Sequence, residues 1–137
     1  MSYSFETAKK QAPSPEVWLR EAKAASEAAD CGMFLIHNGT VRRTAKAKVR
    51  RGFTDTEPVT GMLFSYDSSK VDAAIKMAHA MPGIYYVRVW LNEGRLDVGD
   101  DIMLVLIGGD IRPHVVDALQ ALVEEIKSNC VSEEEIY

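Results

Sequence analysis

The longest uninterrupted apolar stretch in the chain is Ile102 to Gly109, which reads Ile-Met-Leu-Val-Leu-Ile-Gly-Gly. It has the length of a strand and falls far short of the ~20 apolar residues of a membrane span. Ile102 to Ile107 therefore reads as a buried strand. Pro113 then opens a helix in which Val115, Val116, Leu119, Leu122, Val123 and Ile126 form one apolar stripe, the clearest periodic signal in the sequence. A buried strand followed by an amphipathic helix needs a core on which both can pack. A chain of 137 residues supplies one compact domain and no second.

The other elements arrange themselves around that pair. Residues 1–13 read as a polar, flexible lead-in, and residues 14–129 as the single domain. Ser14-Pro15-Glu16 is a helix start, and the helix is expected over residues 14–29 with Val17, Trp18, Ala25 and Ala29 facing inward. Met33 to His37 reads as a strand closed by Asn38-Gly39, with a brief extension at Thr40-Val41-Arg42. Residues 43–58 lack hydrophobic periodicity and read as a long basic loop. Val59 to Tyr66 is the next strand. A helix follows from Asp67, with Ser69 and Asp72 resembling a capping box. Ile84 to Leu91, Arg95 to Val98 and Ile102 to Ile107 read as a meander of strands, and 130–137 as an acidic tail. One strand–helix–strand unit followed by a meander predicts an α+β fold. Its sheet should be mixed or mostly antiparallel, covered by helices on one face.

Charge is unevenly distributed. The net charge is −4, yet Arg42, Arg43, Lys46, Lys48, Arg50 and Arg51 fall within ten residues that contain no acid. Such a segment is either an anion site or a solvated loop. Arg42 directly follows a strand and should be held in place. Arg112 sits at the turn from the apolar strand into the last helix, where backbone amides attract anions, although from the residues alone a plain strand-to-helix turn with Asp110 near the cap is the better explanation. Lys127 lies one position past the apolar stripe. It could be a partly desolvated acid–base group or a cation complementing the helix dipole. His37, His79 and His114 show no metal-ligand spacing, and Cys31 and Cys130 suit neither a zinc site nor a disulfide framework. No P-loop, G-x-G-x-x-G or G-x-S-x-G motif is present. With no signal-peptide pattern at the N-terminus and no apolar span, the expectation is a cytoplasmic protein without a membrane partner. Basic residues without interleaved aromatics and a negative net charge argue against nucleic-acid binding.

Three segments together resemble a known family. Gly32-Met-Phe-Leu-Ile-His-Asn-Gly39-Thr-Val-Arg42 is similar to a strand ending in G-x-V-R. Val87-Arg-Val-Trp-Leu-Asn-Glu-Gly94-Arg95-Leu-Asp-Val-Gly99-Asp100 is similar to a meander of pattern V-x-x-x-H-R-x-G-x-L-x-x-G-[DE]. Arg112, followed by Lys127 across an apolar helix, is similar to the closing segment. The family is the large, catalytic subunit of molybdopterin synthase, MoaE type, and the resemblance spans about Asp30 to Lys127. It implies an α/β-hammerhead fold and a homodimer that receives a small ubiquitin-like sulfur-carrier subunit. That subunit's Gly-Gly tail, as a thiocarboxylate, would deliver sulfur to cyclic pyranopterin monophosphate to make the dithiolene of molybdopterin. The resemblance gives Lys127 the place beside the thiocarboxylate and Arg42 a place in the anionic pocket. It gives Arg112 a reach into the neighbouring subunit's site. Arg43, Lys46 and Lys48 are further anion-binding candidates from the basic segment. The implied step uses no metal and no redox cofactor.

The sequence also departs from that pattern. Ile111 stands where the family has the histidine of a His-Arg pair. The arginine of the meander's H-R pair is absent, with Asn92 in its place. Ser132-Glu-Glu-Glu135 falls where a W-K-x-E segment carries a second lysine, and only Ser65-Tyr66-Asp67 remains of an E-x-Y-x-x-M segment. Three readings follow: an active sulfur-transferring subunit, a relative that keeps the fold and dimer and binds a sulfur carrier or another partner without the chemistry, or, least favoured, a nucleic-acid-binding domain using the basic segment.

Overall fold

The computed structural model describes residues 9–52 and 57–137, and of residues 47, 48 and 51 only the backbone. The strands are β1 (Met33–Thr40), β2 (Gly61–Tyr66), β3 (Ile84–Leu91), β4 (Gly94–Asp97), β5 (Asp101–Gly109) and β6 (Val131–Ile136). The helices are α1 (Pro15–Ala24), α2 (Lys46–Arg51), α3 (Ser68–His79) and α4 (Arg112–Glu125). Two antiparallel three-stranded sheets result, ordered β1-β5-β3 and β4-β2-β6. The α+β class and the antiparallel preference expected from the sequence hold. The simple meander does not, because β4 leaves the first sheet to pair with β2 before the chain returns as β5.

The apolar run is the middle strand of the first sheet, and both of its faces are covered. Met103, Val105 and Ile107 belong to the main core with Val115, Leu122 and Ile126 of the last helix and Val71, Ala74 and Ala78 of α3. Leu104 and Leu106 point the other way, onto Trp18 and Ala22 of α1. The expectation of a sheet covered on one face is therefore corrected, and double coverage explains why β5 is apolar at every position from Ile102 onward rather than at alternate ones. The Gly108-Gly109 pair at its end is a packing requirement. A Cβ on Gly108 would lie 2.6 Å from the Phe34 ring, and one on Gly109 2.6 Å from the Gly83 carbonyl oxygen.

Ser14 caps α1 by accepting from the Val17 N–H at 3.2 Å, as its position predicts. The helix is shorter than expected. Ala25 is extended, and a 3-10 turn over Ser26–Asp30 redirects the chain so that the Gly32 N–H can donate to the Gly109 carbonyl. Trp18 and Ala22 are the buried positions of α1, Val17 and Ala25 are half-buried, and Ala29 is exposed. The cap of α3 is Asp67, whose Oδ1 accepts from the Ser69 and Lys70 N–H groups, rather than Ser69.

Two further expectations are corrected. The basic segment 43–58 contains a helix, and its residues 53–56 lie outside the described residues. The run from Ala45 to Arg51 has no Gly or Pro and is rich in Ala, Lys and Arg, all good helix formers. Buried Ala45 anchors it, and Gly52 at φ +73° ends it. The acidic tail is β6, paired with β2 from Tyr66↔Val131 to Gly61↔Ile136. Glutamates are poor strand formers but suit an edge strand, where charge discourages further pairing. Residues 9 and 10 of the lead-in are tied down as well. Lys9 reaches Asp100 at 2.7 Å, and the Lys10 N–H donates to Oδ1 of buried Asn92 at 2.7 Å. Asn92 also donates to the Asp101 carbonyl at 2.8 Å, so its departure from the H-R pattern serves to join β3, β5 and the N-terminal segment.

Candidate functional site

A cleft of about 560 Å³ opens where the two sheets meet, a size typical of small-molecule sites. His37, Gly39 and Thr40 of β1 and Ile102 and Met103 of β5 form one wall, and Glu133, Glu134 and Glu135 of β6 form another. Arg42, Lys46 and Arg50 enter from the basic segment, and Lys127 from the end of the last helix.

Arg42 and Lys127 each follow a buried apolar residue. Arg42 follows Val41, which is buried and whose N–H donates to the Asp100 carbonyl. The Arg42 side chain is exposed, and its Nε donates to the Thr44 carbonyl at 3.0 Å. Lys46 and Arg50 are four residues apart on α2 and therefore share a face. Lys127 follows fully buried Ile126. At that point α4 gives way to a π turn, Ile126–Cys130, which keeps Ile126 and Cys130 both in the core while the chain turns into β6. The wider turn leaves the Lys127 side chain 40% exposed at the cleft.

Two of the acids opposite, Glu133 and Glu135, are engaged by neighbours, and Glu134 is exposed. Oε2 of Glu135 accepts from the Lys46 N–H at 3.0 Å, at the start of α2, where a carboxylate complements the helix dipole. Its Oε1 accepts from the Tyr137 hydroxyl at 3.0 Å, which holds that phenol above its ordinary pKa. Oε2 of Glu133 lies 3.9 Å from Lys127 Nζ. His37 stands nearby with its imidazole pKa below the ordinary 6.5, first through burial and then through the charge of Lys127. The cleft thus combines four cations, three carboxylates and a neutral imidazole, an arrangement suited to binding an anion while holding or moving a proton.

Lys127, Arg42 and Lys46 are the expected site residues that the structure brings together. Arg43 does not line the cleft; its carbonyl accepts from the Val59 N–H at 2.7 Å and its side chain is exposed. The Lys48 side chain lies outside the described residues. Arg112 is exposed at the other end of the first sheet. The register Met33↔Gly109 and Thr40↔Asp101 sets the Arg112 end of β5 against the start of β1, whereas Arg42 follows the end of β1. The separation is roughly 25–30 Å at a strand rise of about 3.4 Å per residue. Around Arg112, Asp110 Oδ1 accepts from the Ile111 N–H at 2.6 Å and lies 2.7 Å from His114 Nδ1. His114 holds the Asp110 carboxyl below its ordinary pKa.

Sequence reasoning missed His37 and the three glutamates as cleft residues. His37 and Gly39 are two apart on β1 and share a face, a signal that was present. The glutamates were signalled only by the resemblance, which sets Ser132–Glu135 where the family carries a second lysine; that they form a strand follows only from pairing with β2.

Comparison with known proteins bears on this arrangement. The family described as MoaE protein matches residues 14–129. No curated protein matches the chain by sequence. Among solved structures, molybdopterin synthase from Staphylococcus aureus superposes with a TM-score of 0.69 at 17% identity, covering 91% of this chain and 85% of that one. The molybdopterin biosynthesis MoaE protein from Burkholderia ambifaria MC40-6 gives a TM-score of 0.69 at 16% identity, covering 92% and 84%. The complex of subunits 1 and 2 of molybdopterin-converting factor from Helicobacter pylori 26695 gives 0.60 at 16% identity, covering 89% and 82%. At these identities the likeness concerns the fold, with its two antiparallel sheets and covering helices. The family match extends over most of the sequence and includes Arg42, Lys46, Arg112 and Lys127, and on that ground the chain belongs to the MoaE family.

Proposed function

We propose that this chain works in molybdenum cofactor biosynthesis as the catalytic subunit of a molybdopterin synthase. It transfers sulfur from a thiocarboxylated ubiquitin-like small subunit to cyclic pyranopterin monophosphate. Family membership supports the first, broader part of this reading. The observation that carries the second is the convergence of Arg42 and Lys127, far apart in the sequence, on one cleft with Lys46 and Arg50. Guanidinium and ammonium groups there match a substrate phosphate and a carboxylate-like tail. Lys127 stabilises the charge on the thiocarboxylate or moves a proton as sulfur leaves it. The Helicobacter pylori neighbour is a complex of two subunits, which supports a small-subunit partner for this chain. The homodimer belongs to the same proposal.

The test is conversion of cyclic pyranopterin monophosphate by the chain with its thiocarboxylated small subunit. Formation of the dithiolene product is expected, and tight complex formation without conversion overturns the enzymatic part. One observation favours the second reading, a sulfur-carrier-binding relative without the chemistry: Glu133, Glu134 and Glu135 line the cleft where the family pattern calls for a lysine. A polynucleotide ligand is disfavoured by the same three carboxylates beside the basic helix.

A further inference from the structure

Val41 and Arg42 lie past the end of the β1–β5 ladder, which shifts register between Gly39 and Thr40 and closes on Thr40↔Asp101. The turn between β4 and β5 takes over from there. The Val41 N–H donates to the Asp100 carbonyl at 3.0 Å, and the Val41 carbonyl accepts from the Gly99 N–H at 2.8 Å. The placement of Arg42 at the cleft therefore depends on where that turn is held. Two lysines hold it, and both precede the stretch 14–129 matched by the MoaE family. Asp100 Oδ2 accepts from the Asp97 N–H and from Lys9 Nζ, both at 2.7 Å. Lys9 also reaches Asp97 at 3.2 Å. Lys10 anchors the segment on both sheets. Its N–H donates to buried Asn92, just past β3, at 2.7 Å, and its Nζ donates to the Tyr66 hydroxyl of β2 at 3.0 Å. The same ammonium lies over the rings of Tyr66 and Trp90, 5.0 and 5.6 Å from their centroids.

We propose that Lys9, located by Lys10, is a positioning residue for Arg42 and acts through the Asp97–Asp100 turn and Val41. The N-terminal segment is then a strap that supports the cleft's anion-binding side from outside the family domain. This role holds whichever anion the cleft takes, so it goes beyond the proposed function. A guanidinium binds an oxyanion well only when the residues behind it fix its direction. The Lys9 and Asp100 side chains are 43% and 28% exposed, so their pairing is worth a few-fold in local opening and not the fold itself.

Two substitutions break the pair with opposite changes of charge. Lys9→Gln removes a cation. Asp100→Asn removes an anion and keeps an acceptor for the Asp97 N–H. NMR of the full chain reads amide exchange at Val41 and Gly99, and the response of the Arg42 Nε–H signal to inorganic phosphate. Both variants are expected to speed exchange at Val41 and Gly99 about three-fold, with Val105 and Leu106 of β5 unchanged. Both are expected to weaken phosphate at Arg42 about three-fold, and Lys9→Arg to match the wild type. Charge alone predicts another pattern: Lys9→Gln weakens phosphate and Asp100→Asn tightens it. That pattern overturns the proposal. Unchanged exchange at Val41, faster exchange that extends to Val105 and Leu106, or unaltered phosphate affinity in both variants overturns it too. So does a wild-type Arg42 signal that ignores phosphate, or a Lys9→Arg chain that behaves like Lys9→Gln. None of these readouts uses sulfur transfer, so the strap and the proposed reaction stand or fall separately.

Discussion

Lys127 and His37 share one electrostatic environment, and each reports on the other. Lys127 is held by the burial of Ile126 beneath it and by the π turn that lets the chain leave α4 without uncovering Cys130. Replacing Lys127 with Ala removes a charge and little packing, since its side chain is 40% exposed. Sulfur transfer by Lys127→Ala should fall by at least about 100-fold, with native mass and small-subunit binding unchanged. Full turnover by this variant would exclude Lys127 from the mechanism. The imidazole of His37 has its pKa lowered by burial and by the Lys127 charge, so folding favours its neutral form. Its contribution to stability is complete above the ordinary pKa of 6.5 and is lost as pH falls below that value toward the depressed folded pKa. Titration of the His37 ring by NMR should therefore show a midpoint below 6.5 in the wild type and an upward move in Lys127→Met. An unmoved midpoint would mean that the two side chains do not sense one another.

At the scale of elements, the polar side of the cleft, opposite β1 and β5, comes largely from two segments with little independent structure. Helix α2 is only six residues long, too short to persist alone, and β6 is an edge strand with three successive glutamates. They support one another, because Glu135 of β6 accepts from the first N–H of α2. Replacing Lys46 and Arg50 together with Gln should weaken substrate binding by about 10- to 100-fold at unchanged thermal stability, read by calorimetric titration. Unaltered affinity would show α2 to be a solvated face. These two elements are also the ones that the sequence conceals. Helix α4 and β5 announce themselves by periodicity and by an unbroken apolar run, because the core dictates nearly every position. Asp67 and Ser14 are legible as local chemistry, and Asp67 was displaced by a neighbouring serine only through a shift of two residues. The pairing of β6 with β2 is a long-range event, and no pattern within Val131–Ile136 records it. The same distance effect explains the candidate site. Arg42 and Lys127 were legible through their neighbours' pattern, whereas Glu133 and Glu135 were marked only by the resemblance, and their contacts with Lys127 and Lys46 follow only once their partner strand is known.

Across the whole molecule, the basic segment and the acidic segment that the sequence keeps far apart meet at one cleft, while Arg112 stands at the opposite end of β5. A strand spanning the sheet cannot bring Arg112 to the Lys127 of its own chain. If Arg112 contributes to catalysis, it does so across a dimer interface, and a mixture of damaged subunits can then rebuild a site. In a mixed dimer of Arg112→Ala and Lys127→Ala chains, the first chain keeps Lys127 and receives an intact Arg112 from the second. The other site carries both lesions. Each mixed dimer should therefore regain one working site, about half the wild-type rate, although either variant alone is nearly inactive. Random mixing makes half of the dimers mixed, so the population as a whole should recover to about a quarter of wild type. The measurement is sulfur transfer after denaturing, mixing and refolding the two variants, with each variant refolded alone as reference. No gain on mixing would place the action of Arg112 outside the active site, as part of the Asp110–His114 turn that shapes the far end of the sheet.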